Sequence, residues 1–186
     1  MKFSSRALVI ISIAIAAVLF VALLFVARGI LPGTIAPDTS AGMPSELIGA
    51  QAPAVDLPDT AGDRVSLDSF SGTPVVLVFW ATWNSSAADQ IDILDSFLGG
   101  NAPERSLVKI IAVDSEEDPS VVSSFMRRGG YRVETLVDVS GAVSQTYAIK
   151  SLPTTYFIDR NGVIRDGFAG VLSSQMLVDK IDQLLQ

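Results

Sequence analysis

The chain has 186 residues, with thirteen basic and twenty acidic side chains, a formal charge of −7, and neither cysteine nor histidine. The negative balance argues against nucleic acid as a partner, because phosphate binding needs a basic face. The two zeros exclude thiolate nucleophiles, disulfides, thiolate- or imidazole-ligated metals, imidazole bases and any Ser-His-Asp triad.

Ala7 to Ala27 is an unbroken apolar run whose one polar member is Ser12. As a helix rising ~1.5 Å per residue it matches a hydrocarbon core of ~30 Å, and a helix satisfies its own backbone there. The expected organisation is a cytoplasmic N-terminus at 1–6, a transmembrane anchor at 7–28, a linker at 29–50 and a folded domain at 51–186. Lys2 and Arg6 precede the run. Positive charge stays on the cytoplasmic side, so the domain is expected outside the cytoplasm, on a single-pass cell-membrane protein. The rival reading is a cleaved signal peptide. It is disfavoured because such apolar stretches are usually shorter and because bulky Phe25 stands where cleavage wants a small residue. Gly29, Pro32, Gly33, Pro37, Gly42, Pro44 and Gly49 mark an irregular tether. Residues 1–50 hold three basic and two acidic groups, leaving ten basic and eighteen acidic in 51–186, a net −8.

Within the domain, Val55-Asp56-Leu57 and Val65-Ser66-Leu67 alternate around Asp59 to Asp63, a hairpin signal. Val75 to Trp80 is continuously apolar, which fits a strand covered on both faces. Ser85 to Leu98 places Ala87, Ile91, Leu94 and Leu98 at helical spacing, and Gly99-Gly100 stops it. Val108 to Val113 predicts a second buried strand. Asp118 is placed to cap a helix with Pro119 at its first position and Gly129-Gly130 at its end. A short strand at Glu134 to Asp138 and a short helix at Ala142 to Tyr147 follow. Thr154 to Ile158 and Val163 to Phe168 flank the turn Asp159-Arg160-Asn161-Gly162, and Ser173 or Ser174 caps a last helix. The order ββ-β-α-β-α-β-α-β-β-α predicts an α/β domain with a central mixed sheet and helices on both faces.

Three stretches go beyond generic pattern. They are Pro53 with Phe70-Ser71-Gly72 and Pro74 to Trp83; Leu152 to Asp159 (LPTTYFID) with Asn161-Gly162; and the hairpin and tether before them. Together they resemble the TlpA/ResA-like family of membrane-anchored thioredoxin-fold proteins, within the redoxin (AhpC/TSA-like) superfamily. The resemblance implies a thioredoxin-like fold with an N-terminal β-hairpin and a helix–strand insertion near 119–138. It also implies thiol–disulfide exchange, by a Trp-Cys-x-x-Cys motif that opens the first helix. Here that stretch is Trp83-Asn84-Ser85-Ser86-Ala87. Asn84 stands at the attacking cysteine, Ala87 at the resolving one, and Gln90 where many relatives carry a glutamate that assists proton transfer. A carboxamide, a methyl group and a second carboxamide supply neither thiolate nor titrating acid, so no catalytic residue is expected.

The family also holds clients as an extended strand against a cis-proline loop. That implies Leu152–Pro153 is cis beside Asn84, with Trp83, Ser85, Ser86, Leu152, Pro153 and Thr154 as client-binding positions. For Ser85 and Ser86 helix capping is the simpler role, since no histidine exists to deprotonate them and Lys109, Lys150 and Lys180 lie in ordinary elements. The acidic run Asp114 to Asp118 reads as a solvated strand-to-helix loop with Asp118 as cap, because the central glycine and distal glutamate of a calcium loop are missing. No metal and no cofactor are expected. The leading reading is a redox-inactive, membrane-anchored module that binds a protein or peptide client. An envelope oxidoreductase, from the resemblance, and a structural subunit of a membrane complex are the alternatives.

Overall fold

A computed structural model describes residues 45–101 and 103–186. The expected cytoplasmic segment, transmembrane anchor and most of the linker lie outside the described residues. Among the described residues no helix is long and apolar enough to cross a membrane.

The domain is built on a five-stranded sheet. Its strands are β3 (Val75–Trp80), β4 (Lys109–Ser115), β5 (Glu134–Asp138), β6 (Thr154–Ile158) and β7 (Ile164–Ala169), in the order β5-β4-β3-β6-β7. β3, β4 and β5 run parallel, whereas β6 and β7 are antiparallel additions. The continuous apolar run therefore becomes the central strand, buried at every position. β1 (Asp56–Pro58) and β2 (Arg64–Ser66) pair as a separate antiparallel hairpin. Its turn closes on Asp59, whose Oδ1 accepts from the Ala61 and Asp63 amides at 2.8 and 2.9 Å.

Alternation along β3 sends Val76, Val78 and Trp80 to one face and Val75, Leu77 and Phe79 to the other. The first face is covered by α1 (Ala87–Gly99), α2 (Pro119–Gly129) and α4 (Ser174–Leu185), through Ile91, Leu94, Val122, Leu177 and Ile181. The second is covered by the short α3 (Ala142–Thr146), the hairpin and Tyr147. Helices thus lie on both faces as the pattern implied, but the three long ones share one face. The hairpin supplies cover that a second long helix gives elsewhere: its Leu57 and Val65, with Val55, pack on Leu77 and Phe79. Fully buried Val55 contributes about 1.5–3 kcal/mol, and the partly buried Leu57 and Val65 less.

The helix ends follow their local chemistry. Asp118 caps α2 by accepting from the Ser120 amide at 2.8 Å, with Pro119 where no intrahelical donor is needed. Gly130 ends α2 in the left-handed region (φ 67°). Ser173 caps α4 through the Met176 amide. The 3-10 turn Ser45–Leu47 precedes these elements, and its Leu47 packs on the second core face.

This arrangement brings the C-terminal ends of β3 and β4, the N-terminus of α1 and the loop before β6 to one edge of the sheet.

Candidate functional site

Asn84 ties two of these segments together. Its Nδ2 donates to the Leu152 carbonyl at 3.0 Å, and its Oδ1 accepts from the Ser86 amide at 2.9 Å. The Leu152–Pro153 bond is cis. A thiolate at this position could make no such bridge, since it has no N–H to give. The carboxamide instead stitches the helix entry to the proline loop and satisfies a free amide of the first turn.

That second bond corrects the capping expectation. Ser86 occupies the cap position of α1, but its side chain makes no capping bond, and Asn84 takes the role two residues earlier. Ser85 is exposed and Ser86 half-buried. All three lysines considered as bases are paired elsewhere: Lys109 with Glu134, Lys150 with Glu46, and Lys180 with Asp166. Ala87 is buried in the helix–sheet core. Gln90 is fully buried, and its Oε1 accepts from the Leu172 amide at 2.9 Å, which fastens α1 to the segment leading into α4.

The positions expected to meet a client divide sharply. Trp83 projects with 67% of its surface exposed, while Trp80 is wholly enclosed. Leu152 is half-buried and Pro153 buried. Thr154 is 2% exposed, and its hydroxyl donates to the Ser151 carbonyl at 2.7 Å. Its side chain faces the interior, so residue 154 offers a client almost no surface. Thr154 opens β6, which pairs with β3 and β7 and is buried at every position.

Beside Trp83 lies a groove of about 250 Å³, lined by Glu116, Gln145, Ile149, Lys150 and Leu152 among others. Ser115 and Ser144 share a buried hydroxyl–hydroxyl bond of 2.8 Å at its floor. Two residues around this groove, Glu116 (φ 65°) and Ala148 (φ 52°), hold left-handed backbone without being glycine. Such conformations cost ~1–2 kcal/mol and persist where the surroundings over-determine them.

The acidic run is not uniformly solvated, which corrects the sequence reading. Asp118 caps as expected, but Asp114 is fully buried. It continues the inward series Ile110 and Ala112 of β4, beside Trp80 on β3. Burial, and then contact with the Glu117 carboxyl, pushes the Asp114 pKa up to about 9, with a further contribution from Asp138. Two touching carboxyls cannot both ionise, and the enclosed one keeps the proton. Among the described residues neither Asp114 carboxyl oxygen has a hydrogen-bond partner, so the proton is held first by burial and then by the neighbouring Glu117 carboxyl. Glu117 in turn accepts from the Thr82 amide at 2.5 Å and the Thr82 hydroxyl at 2.6 Å. The loop that carries Trp83 and Asn84 is held on this side by Glu117 and on the other by Leu152. Sequence reasoning missed Asp114; the strand expected to end at Val113 continues to Ser115 and is buried throughout from Ile110.

Comparison with known proteins agrees with this fold. The profile of the AhpC/TSA family matches residues 48–166, well over half the chain, and the chain belongs to that family. The thioredoxin-like protein YneN of Bacillus subtilis is 28% identical over 134 residues, covering 72% of this chain and 78% of its own. The thiol-disulfide oxidoreductase ResA of Bacillus subtilis is 29% identical over 139 residues, covering 75% and 76%. Among solved structures, the exposed lipoprotein thioredoxin Etrx1 of Streptococcus pneumoniae superposes with a TM-score of 0.63 at 23% identity, over 71% of this chain and all of that one. StoA of Bacillus subtilis gives 0.60 at 20% identity, over 69% and 96%. The thioredoxin-like fold is thereby established, in a family that includes thiol–disulfide oxidoreductases, for a chain with no cysteine.

Proposed function

We propose that this AhpC/TSA-family chain is a redox-inactive thioredoxin-like module that holds a protein or peptide client reversibly at the edge formed by Trp83, Leu152 and the cis-proline loop. In this reading residues 7–28 anchor it in the membrane and the domain works outside the cytoplasm. The observation that carries it is the side chain of Asn84, which spends both its carbonyl and its amide on structure at the position of the family's nucleophile. Exchange chemistry needs a thiolate there, and none exists in the chain. Client contact needs only an exposed anchor and free backbone. Trp83 is such an anchor, and aromatic residues commonly dominate interfaces of this kind.

The test is cross-linking capture from native membranes with the full chain and with Trp83→Ala. A groove that binds through Trp83 loses about tenfold in capture on truncation, while the melting temperature moves little because most of the ring is in water. Unchanged capture per folded molecule would defeat the reading and favour a structural subunit held by another surface.

A further inference from the structure

The groove beside Trp83 carries one charge that its own surroundings leave unanswered. Glu116 is exposed and lines the groove together with the apolar Trp83, Ile149 and Leu152. The groove's cation, Lys150, is already paired with Glu46 at 2.8 Å. Among the described residues Glu116 makes no ion pair. Its placement is also specified twice over. The backbone takes a left-handed turn at a residue that is not glycine, fixed by the Glu116 amide donating to the Asp138 carbonyl at 3.0 Å. Across from it Gly141 leaves room for the side chain: a Cβ there would stand 2.4 Å from Glu116 Oε1. An unneutralised carboxylate beside an exposed indole suits a side chain with an aliphatic stem and a cationic head.

We propose that Glu116 is the specificity-determining residue of the groove and selects an extended client segment with a lysine or arginine next to an apolar residue. The stem of the basic side chain lies along Trp83, and its head reaches Glu116. The apolar neighbour takes the Ile149–Leu152 shelf. The net −8 of residues 51–186 steers the same kind of partner toward the domain at longer range. This inference rests on the client-binding reading above and adds the chemistry of the client.

The test is selection from a displayed library of random decapeptides against the full chain in lipid nanodiscs. Wild type, Glu116→Gln, Glu116→Lys and Glu116→Gly are compared, with Trp83→Ala as the groove control. Glu116→Gly relieves the left-handed backbone, so it serves as a folded variant without the charge. The expected result is enrichment of lysine and arginine at one register position by about three- to fivefold in wild type, the scale of a half-exposed ion pair. That preference disappears in the glutamine and glycine variants and turns toward aspartate and glutamate in Glu116→Lys. Peptides retained through Trp83 with the same charge composition in all four proteins would overturn the role of Glu116 and leave the groove standing. Retention that is absent, or indifferent to Trp83→Ala, would overturn both.

Discussion

Replacing Asp114 by asparagine isolates the buried proton. The side chain is fully enclosed and its pKa is pushed from 3.8 to about 9, first by burial and then by Glu117. A folded-state pKa above the unfolded one means that folding takes up a proton anywhere between the two values. For an acid this makes the native state relatively most stable near pH 4 and below, with a loss of ~1.4 kcal/mol for each pH unit up to about 9. Between pH 5 and pH 8 the ceiling is about 4 kcal/mol. Loop relaxation and water entry reduce it, and about 2 kcal/mol is the expected size. Asparagine keeps the shape and stays neutral at every pH, so it needs no proton from solvent. Urea unfolding of the full chain in mild detergent, followed by tryptophan fluorescence at four pH values, reads the difference. The wild-type and Asp114→Asn curves should nearly coincide at pH 5 and separate by about 2 kcal/mol at pH 8, with the variant the more stable. Buried Tyr156, pushed up to about 12 by desolvation, does not titrate in this window. Curves that run parallel from pH 5 to pH 8, or a variant that weakens as pH rises, would refute the idea that Asp114 holds a proton against Glu117.

Asn84→Ala removes both stitches at the helix entry and should cost about 1–2 kcal/mol, with faster amide exchange at Ser86 as its local signature; protection unchanged at Ser86 would contradict the assignment. Asn84→Cys with Ala87→Cys should give measurable insulin reduction, since a thiol at a helix N-terminus has a lowered pKa, and adding Gln90→Glu should raise it further. Insulin reduction by the unaltered chain above a protein-free blank would contradict redox inertness.

The elements were legible wherever one physical requirement acted alone. Val75 to Trp80 must be covered on both faces, and it is the central strand to the residue. The Asp118-Pro119 pair can do little but start a helix, and Asp159 with Gly162 little but turn a hairpin. Legibility failed where two requirements compete for one residue. Serine at a helix start reads as a cap, yet Asn84 reached the Ser86 amide first, because an Asx side chain bonds two residues ahead as readily as a serine caps. Thr154 looked available to a client because it follows the proline, but it opens a strand that is covered on both faces. Asp114 looked solvated among other acids, although β4 continues through it to Ser115 and is covered on both faces.

These misread residues share one place, and that is informative about what the site does. Glu117 holds Thr82 from the β4 side, with buried Asp114 beside it, and Asn84 holds Leu152 from the β6 side. Trp83 lies between the two anchors with two-thirds of its surface in water. A loop fixed at both ends loses little conformational freedom on meeting a partner, so more of the contact energy appears as affinity. A nucleophile has a different requirement: it must be free to form and break a covalent bond, and an Asn84 hydrogen-bonded on both sides is not. The carboxamide therefore does more than lack a thiol. It stitches the helix entry to the proline loop and leaves Trp83 between two anchored residues with most of its surface in water, the arrangement that the proposed reversible binder requires.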